Sequence, residues 1–220
     1  NTLVSMTLTG AQIKAVLEEQ WQPAGASRPF LKLGVNKEFT YTYDPDAVKG
    51  SHITQMWLDG VTIDPAASYS VGVNSFLASG GDNFSTLAQG VGKADSGKID
   101  LQAMVDWFTE FDTVTPDLAQ RAVGVDVPAS ANAGEQVTVH LSSLAFSRGE
   151  TEPDEVSIWL GDDMLAITTA VTVAYTPTTD EIGTASVTFS VPEDASGPTE
   201  FDVVVPSTGT TTSFTIDVTP

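Results

Sequence analysis

From Ala122 to the C-terminus the sequence runs AVGVDV, EQVTVHLSSL, EVSIWLGDDML, TTAVTVAY, ASVTFSV, TEFDVVV and SFTIDV, with Gly, Pro and Asp between the runs. Alternation of apolar and polar residues with a period of two sends successive side chains to opposite faces of an extended chain, a pattern no helix can bury on one side. This part of the chain is therefore restricted to paired strands.

Residues 1–121 have a different texture. LVSMTLT (3–9) alternates as a strand, and GAQIKAVLEEQW (10–21) places Ile13, Val16 and Leu17 at helical spacing before Pro23. FLKLG (30–34) and EFTYTY (38–43) read as paired strands, while ITQMWL, Asp59-Gly60 and VTI form a hairpin signal. KIDLQAMVDWFTEF (98–111) is an amphipathic helix with Leu101, Met104, Val105 and Phe108 on one face. Helices mixed with hairpin-connected strands predict an α+β domain, and the later runs predict an all-β immunoglobulin-like sandwich without a disulfide, the chain having no cysteine. The expected division is a domain over 1–112, a linker over 113–121 containing Pro116, and a sandwich over 122–220. Charge changes at the same place. Residues 1–121 carry eight Lys/Arg against 14 Asp/Glu, whereas 122–220 carry Arg148 alone against 15.

A formal charge of −20 argues against nucleic acid polymers and anionic membranes as partners, since neutralising phosphates takes clustered cations. No apolar run approaches the ~18 residues of a transmembrane helix. The chain opens NTLVSMTLTG without an initiator Met, a basic segment or a cleavage site, and reads as a piece of a longer protein. His52 and His140 stand apart, and His140 alternates with Val139 and Leu141 as a solvent-facing strand residue. The acidic groups Glu150, Glu152, Asp154 and Glu155, and Asp162-Asp163, lack a glycine-kinked calcium loop and read as solvated surface. No G-x-S-x-G and no G-K-[ST] occurs, so serine-nucleophile and P-loop chemistry have no support.

One stretch asks for more than a turn. After the strand-like YSVGVN comes Phe76-Leu77-Ala78-Ser79-Gly80-Gly81-Asp82-Asn83-Phe84. A flat apolar ring, a backbone stripped of side chains and a carboxylate acceptor suit a binding loop. The competing reading makes Phe76 a core residue at a strand end and Asp82 the cap of a helix beginning near Asn83.

The pattern N-x-F-L-A-S-G-G-D-x-F at 74–84, preceded by L-T-G-x-x-[IL] at 8–13 and followed by LQAMVDWF, resembles the C-terminal domain of the 5′-nucleotidase family. That family includes UDP-sugar hydrolases and 2′,3′-cyclic-nucleotide phosphodiesterases. The resemblance spans residues 1–112, and it implies that Phe76 stacks on a base while Asp82 accepts hydrogen bonds from ribose hydroxyls. Gly80 and Gly81 would turn the backbone clear of the ligand. The family usually has glycine at Asn83, a substitution tolerable at positive φ.

The resemblance also implies what lies elsewhere. Two divalent metals of zinc or manganese type would sit in an N-terminal metallophosphoesterase domain of the same chain, with no cofactor in this fragment. The family's phosphate-contacting arginines and second aromatic would lie upstream of residue 1, and neither Arg28 nor Arg121 matches them. The expected function is the nucleotide- or nucleoside-binding part of a secreted or wall-associated hydrolase, inactive as a fragment. The alternative is a non-enzymatic surface or spacer module that retains only the fold; a carboxylate hydrolase built on the acidic pairs ranks last.

Overall fold

The computed structural model describes residues 1–111, 113–146, 151–174 and 182–220. Along the chain run β1 (Thr2–Thr9), α1 (Gly10–Glu18), β2 (Phe39–Tyr43), β3 (Ile53–Leu58), β4 (Val61–Thr62), β5 (Ser68–Asn74), α2 (Ser75–Ala78), β6 (Val91–Ile99) and α3 (Asp100–Glu110). The strands β7 (Ala122–Asp126), β8 (Ser130–Asn132), β9 (Gln136–Ser142), β10 (Val156–Leu160), β11 (Asp163–Thr168), β12 (Ala185–Ser190), β13 (Gly197–Val205) and β14 (Thr210–Thr219) follow. Two compact units result: Asn1–Leu33 with Ile63–Asp117, and Gly34–Thr62 with Leu118–Pro220.

The first unit is an α+β body around the antiparallel sheet β5-β1-β6. The alternation of β1 turns Val4, Met6 and Leu8 inward against Val16, Ala78, Phe84 and Leu87. A reciprocal cap starts α1: Thr9 Oγ1 accepts the Gln12 amide at 3.2 Å, and Gln12 Oε1 accepts the Thr9 amide at 2.9 Å. Two donors that a helix start would leave unpaired are thereby satisfied. The helix ends at Glu18, short of the expected Trp21. At the other end of the unit α3 forms as its periodicity predicts, yet Leu101, Met104, Val105 and Phe108 are 48–71% exposed.

The segment 30–43 departs from expectation. Phe30 makes a single bridge to Trp21, and the Leu31 and Leu33 amides donate to the backbone and side-chain oxygens of Gln20. With those amides taken by a buried glutamine, FLKLG does not pair with EFTYTY. Strand β2 instead pairs antiparallel with β3 and parallel with β7, Tyr41 beside Ala122 and Tyr43 beside Gly124. The hairpin β3–β4 turns at Asp59 and Gly60, φ 51 and 74, the two left-handed residues of a tight hairpin turn.

The second unit therefore consists of two sheets of order β11-β10-β13-β14-β8 and β12-β9-β7-β2-β3-β4. Their inward residues form one core, in which Val139, Leu141 and Phe189 meet Ile158, Phe201, Val203 and Ile216. An immunoglobulin-like sandwich confined to 122–220 is not what the chain forms. The six-stranded sheet is open and takes β2, β3 and β4 from the earlier part of the sequence, because the free edge of β7 is filled by Tyr41–Tyr43. Gln120 and Arg121, at the end of the expected linker, are tied into this unit through Thr210 Oγ1 and the Val35 carbonyl. In TTAVTVAY the described residues contribute the end of β11 at Thr168, paired with Val156, and one isolated bridge, Thr172 to Thr184; Tyr175 lies outside them. Among the described residues no helix is long and apolar enough to cross a membrane.

Candidate functional site

The loop 76–84 sits between two short helical turns in the first unit. Asn74 starts α2 by accepting the Leu77 amide on its side chain at 2.9 Å, which places Phe76 in the first turn. The chain then reverses through Gly80 at φ 90, and through Asp82 and Asn83 at φ 53 and 65. Left-handed backbone at a residue with a side chain is uncommon, and Asp and Asn are the types that tolerate it best. Phe84 follows and is 2% exposed, so the loop returns to the core there.

Three polar anchors hold this loop. Gln22 donates from Nε2 to the Asp82 carbonyl at 3.1 Å and accepts from Asn83 Nδ2 at 2.7 Å. The Glu19 carboxylate accepts from Ser85 Oγ at 2.7 Å and from the amide and hydroxyl of Thr86 at 3.0 and 2.9 Å. Lys93 Nζ donates to the Ala78 and Ala88 carbonyls at 2.7 and 2.8 Å, joining the ends of the flanking turns. Charge-assisted bonds such as those of Glu19 and Lys93 contribute about 1.5–3 kcal/mol each when sheltered.

The expected site residues lie on this frame. Phe76 is 45% exposed and is no core residue; Phe84 and Leu87 occupy the core positions. One side of the Phe76 ring lies against Gly81, where an added Cβ would stand 2.5 Å from the ring carbons. Gly81 is thus required by the ring, which is otherwise partly exposed. Asp82 is exposed, and its carboxylate makes no hydrogen bond among the described residues. It does not cap a helix: the 3-10 turn over Ser85–Gln89 begins at Phe84 without a side-chain cap. The loop thereby brings Phe76, Gly80, Gly81 and Asp82 together within one turn.

The reading of the sequence missed Glu19, Gln22 and Lys93. Glu19 and Gln22 lie some 60 residues from the loop, and nothing in EEQWQ marks those two as its supports; the Lys93 amine is found only by its reach to two carbonyl ends.

Other candidates stay dispersed. His52 is buried, His140 is exposed on β9 with Nδ1 2.8 Å from Ser186 Oγ, and Glu150 lies outside the described residues. Among the described residues no group of three or more His, Asp or Glu side chains is placed to hold a metal ion.

Residues 1–89 match the family described as 5′-nucleotidase, C-terminal domain. A "5′-nucleotidase-related protein" of Glossina morsitans morsitans is 30% identical over 126 residues, covering 53% of this chain and 22% of its own. A protein named "Probable 5′-nucleotidase" from Treponema pallidum (strain Nichols) is 31% identical over 96 residues, covering 40% of this chain and 16% of its own. Among solved structures, a Thermus thermophilus sulfate thiohydrolase, SoxB, in complex with glycerol is 24% identical with a TM-score of 0.40. That match covers 55% of this chain and 22% of SoxB. The chain spans about a fifth of the length of these relatives, and the stretch that holds the Gly-Gly-Asp loop resembles the C-terminal domain of the 5′-nucleotidase family.

Proposed function

We propose that the first unit holds the nucleoside of a nucleotide substrate for a 5′-nucleotidase-type phosphoesterase. Phe76 stacks on the base, and Asp82 accepts hydrogen bonds from the ribose hydroxyls. The observation that carries this reading is how the loop spends its polar groups. Glu19, Gln22 and Lys93 fix its backbone and neighbours, while Phe76 stays 45% exposed and the Asp82 carboxylate is exposed without a hydrogen bond among the described residues. An aromatic face stacks on any base, so the site fixes position more than base identity. A carboxylate only accepts, which suits a pair of vicinal hydroxyl donors.

Hydrolysis belongs, in this reading, to a separate domain of a longer secreted or wall-associated parent, in which two divalent ions would activate water. The second unit then serves as a spacer or surface module. Binding and orienting the nucleoside is the share of the reaction that falls to Phe76 and Asp82.

Titration with adenosine followed by NMR tests the assignment. One stacked face contributes at most ~3 kcal/mol, and the carboxylate ~1.5–3 kcal/mol. Ordering costs leave about 4 kcal/mol, a dissociation constant near 1 mM. Phe76→Ala should abolish the shifts at 76–84, and Asp82→Asn should weaken adenosine more than 2′,3′-dideoxyadenosine. Unchanged binding in Phe76→Ala, or shifts remote from the loop, would leave the loop a structural turn and favour the non-enzymatic module.

A further inference from the structure

We propose that the second unit carries a saccharide-binding groove formed by Trp57, Glu200, Asp202 and the hydroxyls of Thr40, Thr211 and Ser213. The groove has a volume of about 420 Å³. Thr40 and Trp57, cross-strand partners of β2 and β3, make one wall. The floor is the outer side of β13 and β14. Phe201, Val203 and Val205 are fully buried, and the pleat sends the intervening Glu200, Asp202 and Val204 outward. Asp202 stands opposite Ser213, and Val204 opposite Thr211.

The free valences of the groove identify the ligand class. Neither Glu200 nor Asp202 has a hydrogen-bond or ion-pair partner among the described residues, and the Trp57 indole has neither a ring contact nor a hydrogen bond there. Two carboxylates on successive outward positions of one strand repel each other, and no lysine or arginine lines the groove to offset this. Carboxylates accept only, threonine and serine hydroxyls both donate and accept, and an indole offers a flat apolar face with one N–H donor.

A pyranose ring presents the complement: vicinal hydroxyls on its rim, which donate to carboxylates and exchange bonds with hydroxyls, and C–H groups on its faces. A simple cation would engage the carboxylates and the indole but give the donors of Thr40, Thr211 and Ser213 nothing to do. Anionic ligands are repelled by the carboxylates and by a chain of net charge −20. The groove thus selects a neutral, polyhydroxylated ring. It arises only because the hairpin 39–62 joins the later strands, so the residues that build it lie some 140–170 positions apart.

The test titrates the full 220-residue chain with cellotriose, chitotriose and maltotriose, each to about 10 mM, a range that detects millimolar dissociation constants. At least one should shift the Trp57 indole N–H and the amides of 200–204 and 211–213, and the shifts should survive added salt because the ligand is uncharged. Trp57→Ala should weaken that ligand roughly tenfold, about 1.4 kcal/mol. Asp202→Asn, on an exposed side chain that leaves the core untouched, should weaken it roughly threefold. Absence of shifts with all three sugars overturns the proposal, as does binding unchanged in both variants. Shifts of the same resonances by spermidine and by no sugar would overturn it too, and mark a cation site.

Discussion

The two units contain apolar segments of similar strength and use them differently. In the second, Phe189 packs tilted on Phe201 at 5.0 Å and Phe201 stacks on Phe214 at 5.6 Å, and all three are almost wholly buried between two sheets. In the first, α3 carries as clear an apolar stripe, yet the ring contacts of Trp107 are to Phe108 at 5.1 Å and Phe111 at 5.3 Å, within the same helix end, and all three rings stay about half exposed. An amphipathic pattern states which side of an element is apolar; a second layer must exist before that side contributes burial energy. Where the layer is present, stability comes from packing. Where it is thin, as around α3 and the Gly-Gly-Asp loop, polar ties hold the chain in place.

The largest contrast should appear on truncating an aromatic in each place. Phe201→Ala empties a fully buried site between two other rings and should cost about 3–5 kcal/mol in denaturant unfolding. Phe108→Ala, at 53% exposure, should stay within about 0.5 kcal/mol. Equal losses would mean that α3 is covered in solution and would dissolve the comparison.

A middle-sized effect belongs to the loop anchors. Glu19→Ala removes the acceptor shared by Ser85 and Thr86 and should cost about 1.5–3 kcal/mol locally. Amide exchange at 82–86 should accelerate while exchange in β13 and β14 is unaffected. Exchange unchanged at 82–86 would show that packing of Phe84 alone holds the loop, making this region more like the second unit than the structure suggests.

The smallest effect is electrostatic. The Asp106 carboxyl is held below its ordinary range chiefly by the hydrogen bond from Lys98 on β6, with Gln102 as a second donor. A depressed folded-state pKa means the tie is fully present above the ordinary aspartate range and is lost as pH falls through the lowered value. Both partners are exposed, so the signature is a titration shift and not a change in unfolding midpoint. In Lys98→Ala the Asp106 midpoint should move up toward its ordinary value. No movement would remove this tie from the account of how α3 is kept on β6.

Much of this was written locally. Thr9 and Gln12 stand at capping-box spacing, and the box forms. Asp59-Gly60 between alternating runs makes the predicted hairpin turn. The Phe76–Phe84 stretch announced a turn through Gly80-Gly81 with positive φ tolerable at Asn83; Gly80 and Asn83 have it, while Asp82 takes it in place of Gly81. Such features depend on neighbours within a few residues, so sequence alone determines them.

Tertiary structure decided the rest. Alternation told β2 which faces to expose but not which edge to join, and register by itself names no partner. The edge of β7, some 80 residues on, took it, displacing the boundary between the units and creating the groove beneath Trp57. FLKLG was denied a strand because the Gln20 side chain claimed the Leu33 amide. Gln22 became a support of the Gly-Gly-Asp loop only once folding brought it to Asn83. Each of these is a contact between distant residues competing for one donor, one acceptor or one strand edge, and that competition is settled by geometry in three dimensions.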